Sequence, residues 1–328
     1  MARIQKIVFA VIAAAIMLGG FAQPTYAAEG NKYWGANYFP NVVLTDQNGK
    51  KVKFYDDLIK NKMVVINFIY TFCPDSCPLE TAKLVQVQKI LGDRVGKDVF
   101  FYSISIDPKR DTPKELKEYA DKFHVKPGWR FLTGDIKDIN LIRSKLGQTV
   151  RPFEDQLTGH STSLTIGNES TGQWFQDSSM DDPRYIATIV GDWVSEWSNH
   201  KERENSYANV QNVTAADYDR GFYTFKTRCS ACHTVGEGAG IGPDLLGVTV
   251  VRRHEWLSNF IAHPDKVLAA NDPIAYNLFR KYKKIPMPNL RLDPKDVDAV
   301  IGYIDRQTKE WDAKKAASVG ASKSTGGR

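Results

Sequence analysis

Two short motifs contain all four cysteines of this 328-residue chain. The first, TFCPDSCP, places Cys73 and Cys77 four positions apart, and the second, CSACH, contains Cys229, Cys232 and His233. Cysteine thiols can exchange disulfides, bind soft metal ions or bond covalently to haem. Because no cysteine is left over for a structural disulfide, both motifs predict sites that carry chemistry.

The second motif has the spacing of a covalent haem attachment site. In a C-x-x-C-H sequence both thiols, here Cys229 and Cys232, reach the vinyl groups of one haem, and His233 then lies under the iron. A zinc knuckle would need two further ligands nearby, and the sequence has no second C-x-x-C pair. A thioredoxin-type redox pair would follow a buried strand, whereas this motif follows a predicted helix. We therefore predict one covalently bound haem.

Three residues, rather than two, separate the cysteines of the first motif. A helix that begins near Pro74 would place Cys73 and Cys77 on the same side, one turn apart. Two thiolates so placed can close on one soft ion such as Cu(I), or they can oxidise to a disulfide. A helix N-terminus lowers the pKa of a thiol, which would favour both outcomes. The candidate third ligands are His160, directly before a predicted central strand, and His124, at a predicted helix end.

Strands that alternate with helices predict an α/β domain around the first motif. The apolar runs MVVINFIYTF and DVFFYSISI are typical of buried parallel strands. VVLTDQNGKKVKF predicts a hairpin that turns at Asn48-Gly49, and STSLTIGNESTGQWF predicts two more strands. LETAKLVQVQKIL, with Leu84, Val87 and Ile90 at helical spacing, predicts a helix directly after the first motif. The sheet would then have a mixed edge, with the motif at the carboxyl end of a central strand.

Composition changes along the chain divide it into five segments. A basic start, an apolar run and small residues at Thr25 and Ala27 predict a secretory signal peptide at 1–27, with an uncleaved membrane anchor as the alternative. The predicted α/β domain spans 28–198, and a polar linker without periodicity spans 199–212. A helical domain follows at 213–311, and the composition of 312–328 predicts a disordered tail.

The charge of the chain argues against nucleic acid as a partner. The formal net charge is +6, with 44 basic and 38 acidic residues mixed along the sequence. A basic patch that docks on an acidic protein partner is the better interpretation of this balance. The densest such group is Arg280, Lys281, Lys283 and Lys284. It could bind an acidic partner protein or equally face the α/β domain, whose Asp75 and Glu80 flank the first motif.

The first half resembles the Sco/SenC family of copper proteins, whose fold is thioredoxin-like. CPDSCP is similar to the family's metal motif, SIDPKRDTP to the loop after its second core strand, and GHS to its histidine motif. The resemblance covers roughly residues 35–198 and implies Cys73, Cys77 and His160 as copper ligands. Gly159 departs from the family, in which an acidic residue is common at this position.

The second half resembles a small class I c-type cytochrome, which is all-α. Gly221, Phe225 and Cys229 have the spacing of the family's first helix, with Gly221 crossing the last helix opposite Tyr303. GPDLLGV is similar to a loop that packs on the haem, and IPMPNL to the loop with the second axial ligand, which implies Met287. The rival sixth ligands are His254, His263 and Met180.

Together, the two resemblances imply an exported or periplasm-facing protein with copper and haem c as cofactors. The family role is the assembly of the dinuclear copper centre of cytochrome c oxidase, so the expected partners are its copper-bearing subunit, or another copper recipient, and redox proteins. The fused cytochrome would transfer single electrons. Two alternatives stay open: a thiol–disulfide reductase that uses Cys73 and Cys77 as its redox pair, and a copper-responsive redox sensor.

Overall fold

The computed structural model describes residues 34–73, 76–148, 162–195 and 219–324. The predicted signal peptide, the predicted linker and His160 lie outside these ranges. Within them, no helix combines the length and the apolar character needed to cross a membrane.

The first three described ranges form an α/β domain around a seven-stranded sheet. In chain order, the strands are β1 (Val43–Asp46), β2 (Lys51–Lys53), β3 (Met63–Ile69), β4 (Val99–Ser105), β5 (Trp129–Gly134), β6 (Ser163–Asn168) and β7 (Gln173–Ser178). Their spatial order is β2-β1-β5-β4-β3-β6-β7. The pairs β3–β4 and β4–β5 are parallel and the remaining pairs antiparallel, so the predicted mixed edge is confirmed.

Strand β3 lies deep in this sheet because all of its residues except Asn67 are apolar. All seven of its residues are buried, and it pairs in parallel with β4 and antiparallel with β6. Its one polar side chain, Asn67, accepts a hydrogen bond at 2.7 Å from Ser103 on β4. The continuous apolar run therefore predicted a doubly covered strand correctly.

A helix follows each of the three parallel strands, and a fourth follows the antiparallel strand β7. They are α1 (Cys77–Leu91), α2 (Pro113–Lys122), α3 (Ile136–Lys145) and α4 (Pro183–Thr188), with short π-helical turns at Phe54–Ile59 and Ile189–Trp193. Leu84 and Val87 on α1 are buried as predicted, whereas Ile90 is 51% exposed. Ile90 directly precedes the buried Leu91, and neighbouring helical residues point about 100° apart.

Helix α1 begins at Cys77, three residues later than the predicted start near Pro74. Pro78 explains the difference. A proline is tolerated in the first helical turn, where its missing N–H would have no partner. In a helix that began at Pro74, the ring of Pro78 would lie inside the helix and clash with the carbonyl four residues earlier.

Residues 219–324 form the helical domain. Its helices are α5 (Arg220–Thr224), α6 (Val248–Val251), α7 (His254–Ala262), α8 (Pro264–Ala269), α9 (Pro273–Lys281) and α10 (Pro294–Ser324), and a π-helical turn spans Phe225–Cys229. Helix α5 crosses α10 closely at Gly221, where an added Cβ would lie 2.1 Å from the Ala299 carbonyl oxygen. The predicted close crossing at this glycine is therefore present.

The prediction of a disordered tail at 312–328 is wrong for most of that segment. Helix α10 continues without a break through Ser324. Five of the six residues directly after Trp311 are alanine or lysine, which are strong helix formers, so they extend a helix that packing has already nucleated. The low hydrophobic content that suggested disorder excludes a packed core, but it does not exclude an exposed helix.

Candidate functional site

The thiol pair lies at the carboxyl end of β3, as the sequence predicted. Cys73 follows the strand by four residues, and Cys77 is the first residue of α1. Their side chains are only 2% and 0% exposed, and neither is in a disulfide. The thiols are hydrogen-bonded to each other, so they are close enough to share one ion or to form a disulfide.

The prediction that a helix N-terminus lowers the thiol pKa is wrong for Cys77. Its pKa is raised well above the ordinary value, first by burial, then by the hydrogen bond and the charge of Cys73, and then by Glu80. Removal from water disfavours the thiolate more strongly than the helix dipole favours it. Cys77 therefore holds its proton until an electrophile or a soft cation displaces it.

Two residues outside the motif hold the backbone of the pair in place. The buried carboxylate of Asp111 accepts hydrogen bonds from the Thr71 backbone N–H and hydroxyl and from the Ser105 hydroxyl. The buried Tyr119 hydroxyl donates to the carbonyl oxygen of Cys77 at 3.3 Å. Asp111 thus fixes the approach to Cys73, and Tyr119 fixes the first turn of α1.

Sequence reasoning missed both positioning residues. Asp111 lies in SIDPKRDTP, which had been noted only for its resemblance to a family loop, and Tyr119 is one of several aromatic residues on a predicted helix. A buried polar group must find a partner, but Thr71, which Asp111 holds beside the thiols, is 40 residues away, and Cys77 is 42 residues away from Tyr119. Only the tertiary structure shows that pairing.

His124 is excluded from the thiol site by its position. It follows α2, has a left-handed φ of 57° and is exposed. Its ring nitrogens lie 3.4 and 3.5 Å from Nζ of Lys283. Among the described residues, no group of three or more His, Cys, Asp or Glu side chains could hold a metal ion. Of the two histidines considered, His160 stays the predicted third ligand, and it lies outside the described ranges.

The second motif lines an apolar space in the helical domain. Two cavities share His233 and Met287 as walls; Cys232 lines one of them and Cys229 the other. Most other lining residues are aliphatic, aromatic or proline side chains. Burial raises the pKa values of both thiols to about 12, so this environment suits neutral sulfur rather than thiolate.

The imidazole of His233 is held in the orientation that iron ligation requires. Its Nδ1 is hydrogen-bonded to the carbonyl oxygen of Pro243 at 2.9 Å, which leaves Nε2 as the ligating nitrogen. Burial lowers its pKa, which favours the neutral ring. An added Cβ on Gly242 would lie 2.7 Å from the His233 ring, so this glycine makes room for the imidazole.

The loop with Asp244 supports the same arrangement. Its carboxylate accepts hydrogen bonds from the backbone N–H groups of Gly236, Gly238 and Leu246. Leu245 and Leu246, from the same GPDLLGV segment, line the cavity. The thiols, the oriented imidazole, the thioether of Met287 and the apolar walls together fit a haem.

The rival sixth ligands lie away from this space. His254 is exposed at the first residue of α7, and His263 is exposed between α7 and α8. Met180 belongs to the α/β domain, and its carbonyl accepts a hydrogen bond from Lys83 at 2.6 Å. Of the four candidates, Met287 alone lines the cavities with His233.

Comparison with known families agrees with this division of the chain. The SCO1/SenC family model matches residues 35–190, and the Cytochrome c family model matches residues 218–308. The second match covers the cysteine motif and the Met287 loop, and a cytochrome c domain implies haem c. The fused haem domain therefore rests on sequence, cavity and family model together.

Curated relatives match the α/β domain. The SCO2-like protein of Rickettsia conorii is 40% identical over 102 residues, which are 31% of this chain and 47% of that protein. The chain thus spans about half the length of that relative. The SCO2-like protein of Rickettsia typhi is 34% identical over 144 residues, which are 42% of this chain and 68% of that protein.

Solved structures match the same half of the chain. A SCO1/SenC family lipoprotein from Bacillus anthracis is 27% identical, with a TM-score of 0.41, over 48% of this chain and 96% of that one. ScoI of Arabidopsis thaliana, solved with copper bound, is 26% identical, with a TM-score of 0.40, over 47% and 95%. From the matches to the family model and to the Rickettsia relatives, we conclude that the chain belongs to the SCO1/SenC family, with a thioredoxin-like α/β domain followed by an all-α cytochrome c domain.

Proposed function

We propose that this protein carries Cu(I) on its α/β domain and delivers it during the assembly of cytochrome c oxidase, to the copper-bearing subunit. The observation that carries the proposal is the pair of contacting, buried thiols at the carboxyl end of β3. Thiolates are soft ligands, which Cu(I) prefers. Membership in the SCO1/SenC family supports the same role.

Cys73, Cys77 and His160 are the proposed ligands of the copper cargo. The thiols release their protons as the ion binds, and Asp111 and Tyr119 hold the backbone at Thr71 and at Cys77. Delivery proceeds by ligand exchange, in which ligands of the recipient replace those of the carrier one at a time. The copper keeps its charge in such an exchange, so no further reductant is required.

The cytochrome c domain is proposed to hold one haem through thioether bonds to Cys229 and Cys232, with His233 and Met287 as axial ligands. When bound, the haem supplies one-electron transfer. The Pro243 carbonyl fixes the tautomer of His233, and the apolar walls keep water from the ligating atoms. The domain would exchange electrons with redox partner proteins.

The N-terminal sequence supports a location at the outer face of the cytoplasmic membrane or in the periplasm. A basic start and an apolar run at 1–27 have the pattern of a secretory signal. Covalent attachment of haem and delivery of copper to an oxidase subunit would then take place in the same compartment.

A Cu(I) competition titration of periplasmically expressed protein tests the copper role. We expect one copper per chain in the wild type and weak binding in His160→Ala, with His124→Ala as a matched control that binds like the wild type. A reductase would keep its turnover on disulfide substrates after His160→Ala. Full copper affinity in Cys77→Ala would refute the site.

A further inference from the structure

The cytochrome c domain contacts the α/β domain through the segment with the haem cysteines. The two domains belong to one compact unit. Nε2 of Gln86, on α1, donates a hydrogen bond to the carbonyl oxygen of Ser230 at 3.1 Å. Ser230 lies between Cys229 and Cys232, and Cys232 packs against the core of the α/β domain. The haem motif is therefore anchored to the helix that begins at Cys77.

The loop with Met287 contacts the α/β domain independently. Nζ of Lys283 donates to the carbonyl oxygen of Asp121 at 3.3 Å and lies beside the ring of His124. Ile285 packs against the core of the α/β domain. Both segments that hold the proposed iron ligands are thus held by the same neighbouring domain.

Pro78 links the two sites directly. It lines one of the haem cavities together with Cys232, His233 and Met287, and it follows Cys77 in the chain. The proline ring fixes φ, so a shift of the Cys77 backbone moves the ring rather than being absorbed by rotation at Pro78. One residue of the cavity wall, Pro78, is therefore the direct neighbour in sequence of one thiol, Cys77.

We infer that contacts with the α/β domain hold the haem pocket closed, as a clamp in which Gln86 and Lys283 are the positioning residues. We also infer that formation of a Cys73–Cys77 disulfide changes, through Pro78, how readily the pocket opens. The inference rests on the haem part of the proposed function. The cytochrome c domain then reports the state of the copper site: access of outside ligands to its iron depends on whether the thiols are free or joined.

The affinity of the ferric full-length protein for imidazole measures how easily the pocket opens. An outside ligand can bind only when the pocket opens and the ligand takes the place of Met287. We expect the double variant Gln86→Ala, Lys283→Asn to bind imidazole about tenfold more tightly, which is roughly the effect of losing two hydrogen bonds. Asparagine is chosen because Lys283 has a left-handed φ of 56°, which asparagine tolerates. The control is Gln148→Ala with Lys284→Asn, since Lys284 has a φ of 58°.

Equal imidazole affinity in the double variant, the control and the wild type would overturn the inference that Gln86 and Lys283 hold the pocket closed. Circular dichroism and copper stoichiometry verify that each variant is folded. A wild-type protein without covalent haem would instead refute the proposed function. The two failures are therefore distinguishable, since the clamp is judged only on proteins that show the haem spectrum.

Oxidation by diamide tests the link through Pro78. In the haem-loaded protein only Cys73 and Cys77 are free thiols, and diamide takes two electrons and two protons from them as one disulfide forms. We expect the imidazole affinity of the wild type to change on oxidation and to be restored by a dithiol reductant. Cys73→Ser, which cannot form this disulfide, should not respond. An unchanged affinity in the oxidised wild type would overturn the coupling.

Discussion

At the scale of single residues, motifs identified the groups that do chemistry and tertiary structure identified the groups that hold them. Cys73, Cys77, Cys229 and His233 are recognisable because their spacing is local and each type has few chemical uses. Asp111 and Tyr119 could not be recognised, because the groups that they hold beside the thiols, Thr71 and Cys77, are 40 and 42 residues away in the sequence. Spacing therefore predicts ligands but not the polar network behind them.

The contribution of Asp111 can be measured with Asp111→Asn. The amide keeps one acceptor oxygen and replaces the other with a donor, so it cannot accept all of the hydrogen bonds from Thr71 and Ser105. We expect the free energy of unfolding in urea to fall by about 1–3 kcal/mol and the Cu(I) affinity to fall with it. Asp93→Asn, at a fully exposed carboxylate, is the control. Unchanged stability and copper binding would show that Asp111 does not position the pair.

The role of Met287 is tested by Met287→Ala. The thioether is the only candidate sixth ligand that lines the cavities with His233. Its removal should abolish the sulfur–iron absorption band and lower the reduction potential, because a thioether favours ferrous iron. Met180→Ala, in the α/β domain, should leave both unchanged. Persistence of the band in Met287→Ala would place the sixth ligand elsewhere.

Asp177 should make stability depend on pH. Burial, and then a hydrogen bond with Asp181, raises its pKa from 3.8 to about 6. The folded state therefore retains a proton that the unfolded state loses between these values, so the free energy of unfolding falls as pH rises through this window. Asp177→Asn should flatten that part of the profile and be more stable than wild type at pH 7. Parallel profiles of urea midpoints for the two proteins would contradict this assignment.

At the scale of elements, hydrophobic periodicity predicted the strands and most helices, but it did not predict the residues at which some helices begin and end. Strand β3 and the β1–β2 hairpin follow directly from a continuous apolar run and from Asn48-Gly49. Helix α1 could begin at either of two nearby prolines, Pro74 or Pro78, and periodicity does not distinguish them. Helix α10 extends into residues that form no apolar face. Hydrophobic periodicity indicates which residues are buried, so it cannot predict a helical segment that is exposed on all sides.

The crossing of α5 and α10 gives a prediction at this scale. In Gly221→Ala, the new Cβ would lie 2.1 Å from the Ala299 carbonyl oxygen and 2.8 Å from Cβ of Tyr303. The helices must separate, so we expect a loss of about 2–4 kcal/mol and a poor yield of haem-loaded protein. Thermal unfolding followed by haem absorption measures this loss.

A matched control for that crossing lies on α10 itself. In Gly302→Ala the new Cβ would meet only Nη1 of Arg306, at an ordinary 3.7 Å. Alanine is a better helix former than glycine by about 1 kcal/mol, so this variant should be neutral or more stable. If both variants lose similar stability, the close helix crossing is not the reason for the glycine at Gly221.

At the scale of the whole molecule, the sequence predicted two domains but left their contact open. A family resemblance stops at each domain boundary, and the basic group before Met287 could face either an acidic partner protein or the α/β domain. In the structure one member of that group, Lys283, reaches a backbone carbonyl and a histidine of the α/β domain. The contact consists of single hydrogen bonds and small apolar patches, which no local pattern in the sequence marks.

This contact predicts that the two domains are linked in stability. Copper binds the folded α/β domain, and at a hundredfold excess over its dissociation constant it stabilises that domain by about 2.7 kcal/mol. Because Gln86, Pro78 and Lys283 join the domains, part of this stabilisation should reach the cytochrome c domain. Unfolding of the haem site, followed by Soret absorption, should therefore shift to higher temperature when Cu(I) is added.

The double variant Gln86→Ala, Lys283→Asn separates this linkage from a direct effect of copper on the haem. In that variant, Cu(I) should still raise the unfolding temperature of the α/β domain, measured by differential scanning calorimetry. The shift of the Soret transition should become smaller, because two of the contacts that transmit the stabilisation are gone while the apolar contacts of Pro78, Cys232 and Ile285 stay. If Cu(I) does not change the temperature of the Soret transition in the wild type, the two domains unfold independently and the clamp does not contribute to stability.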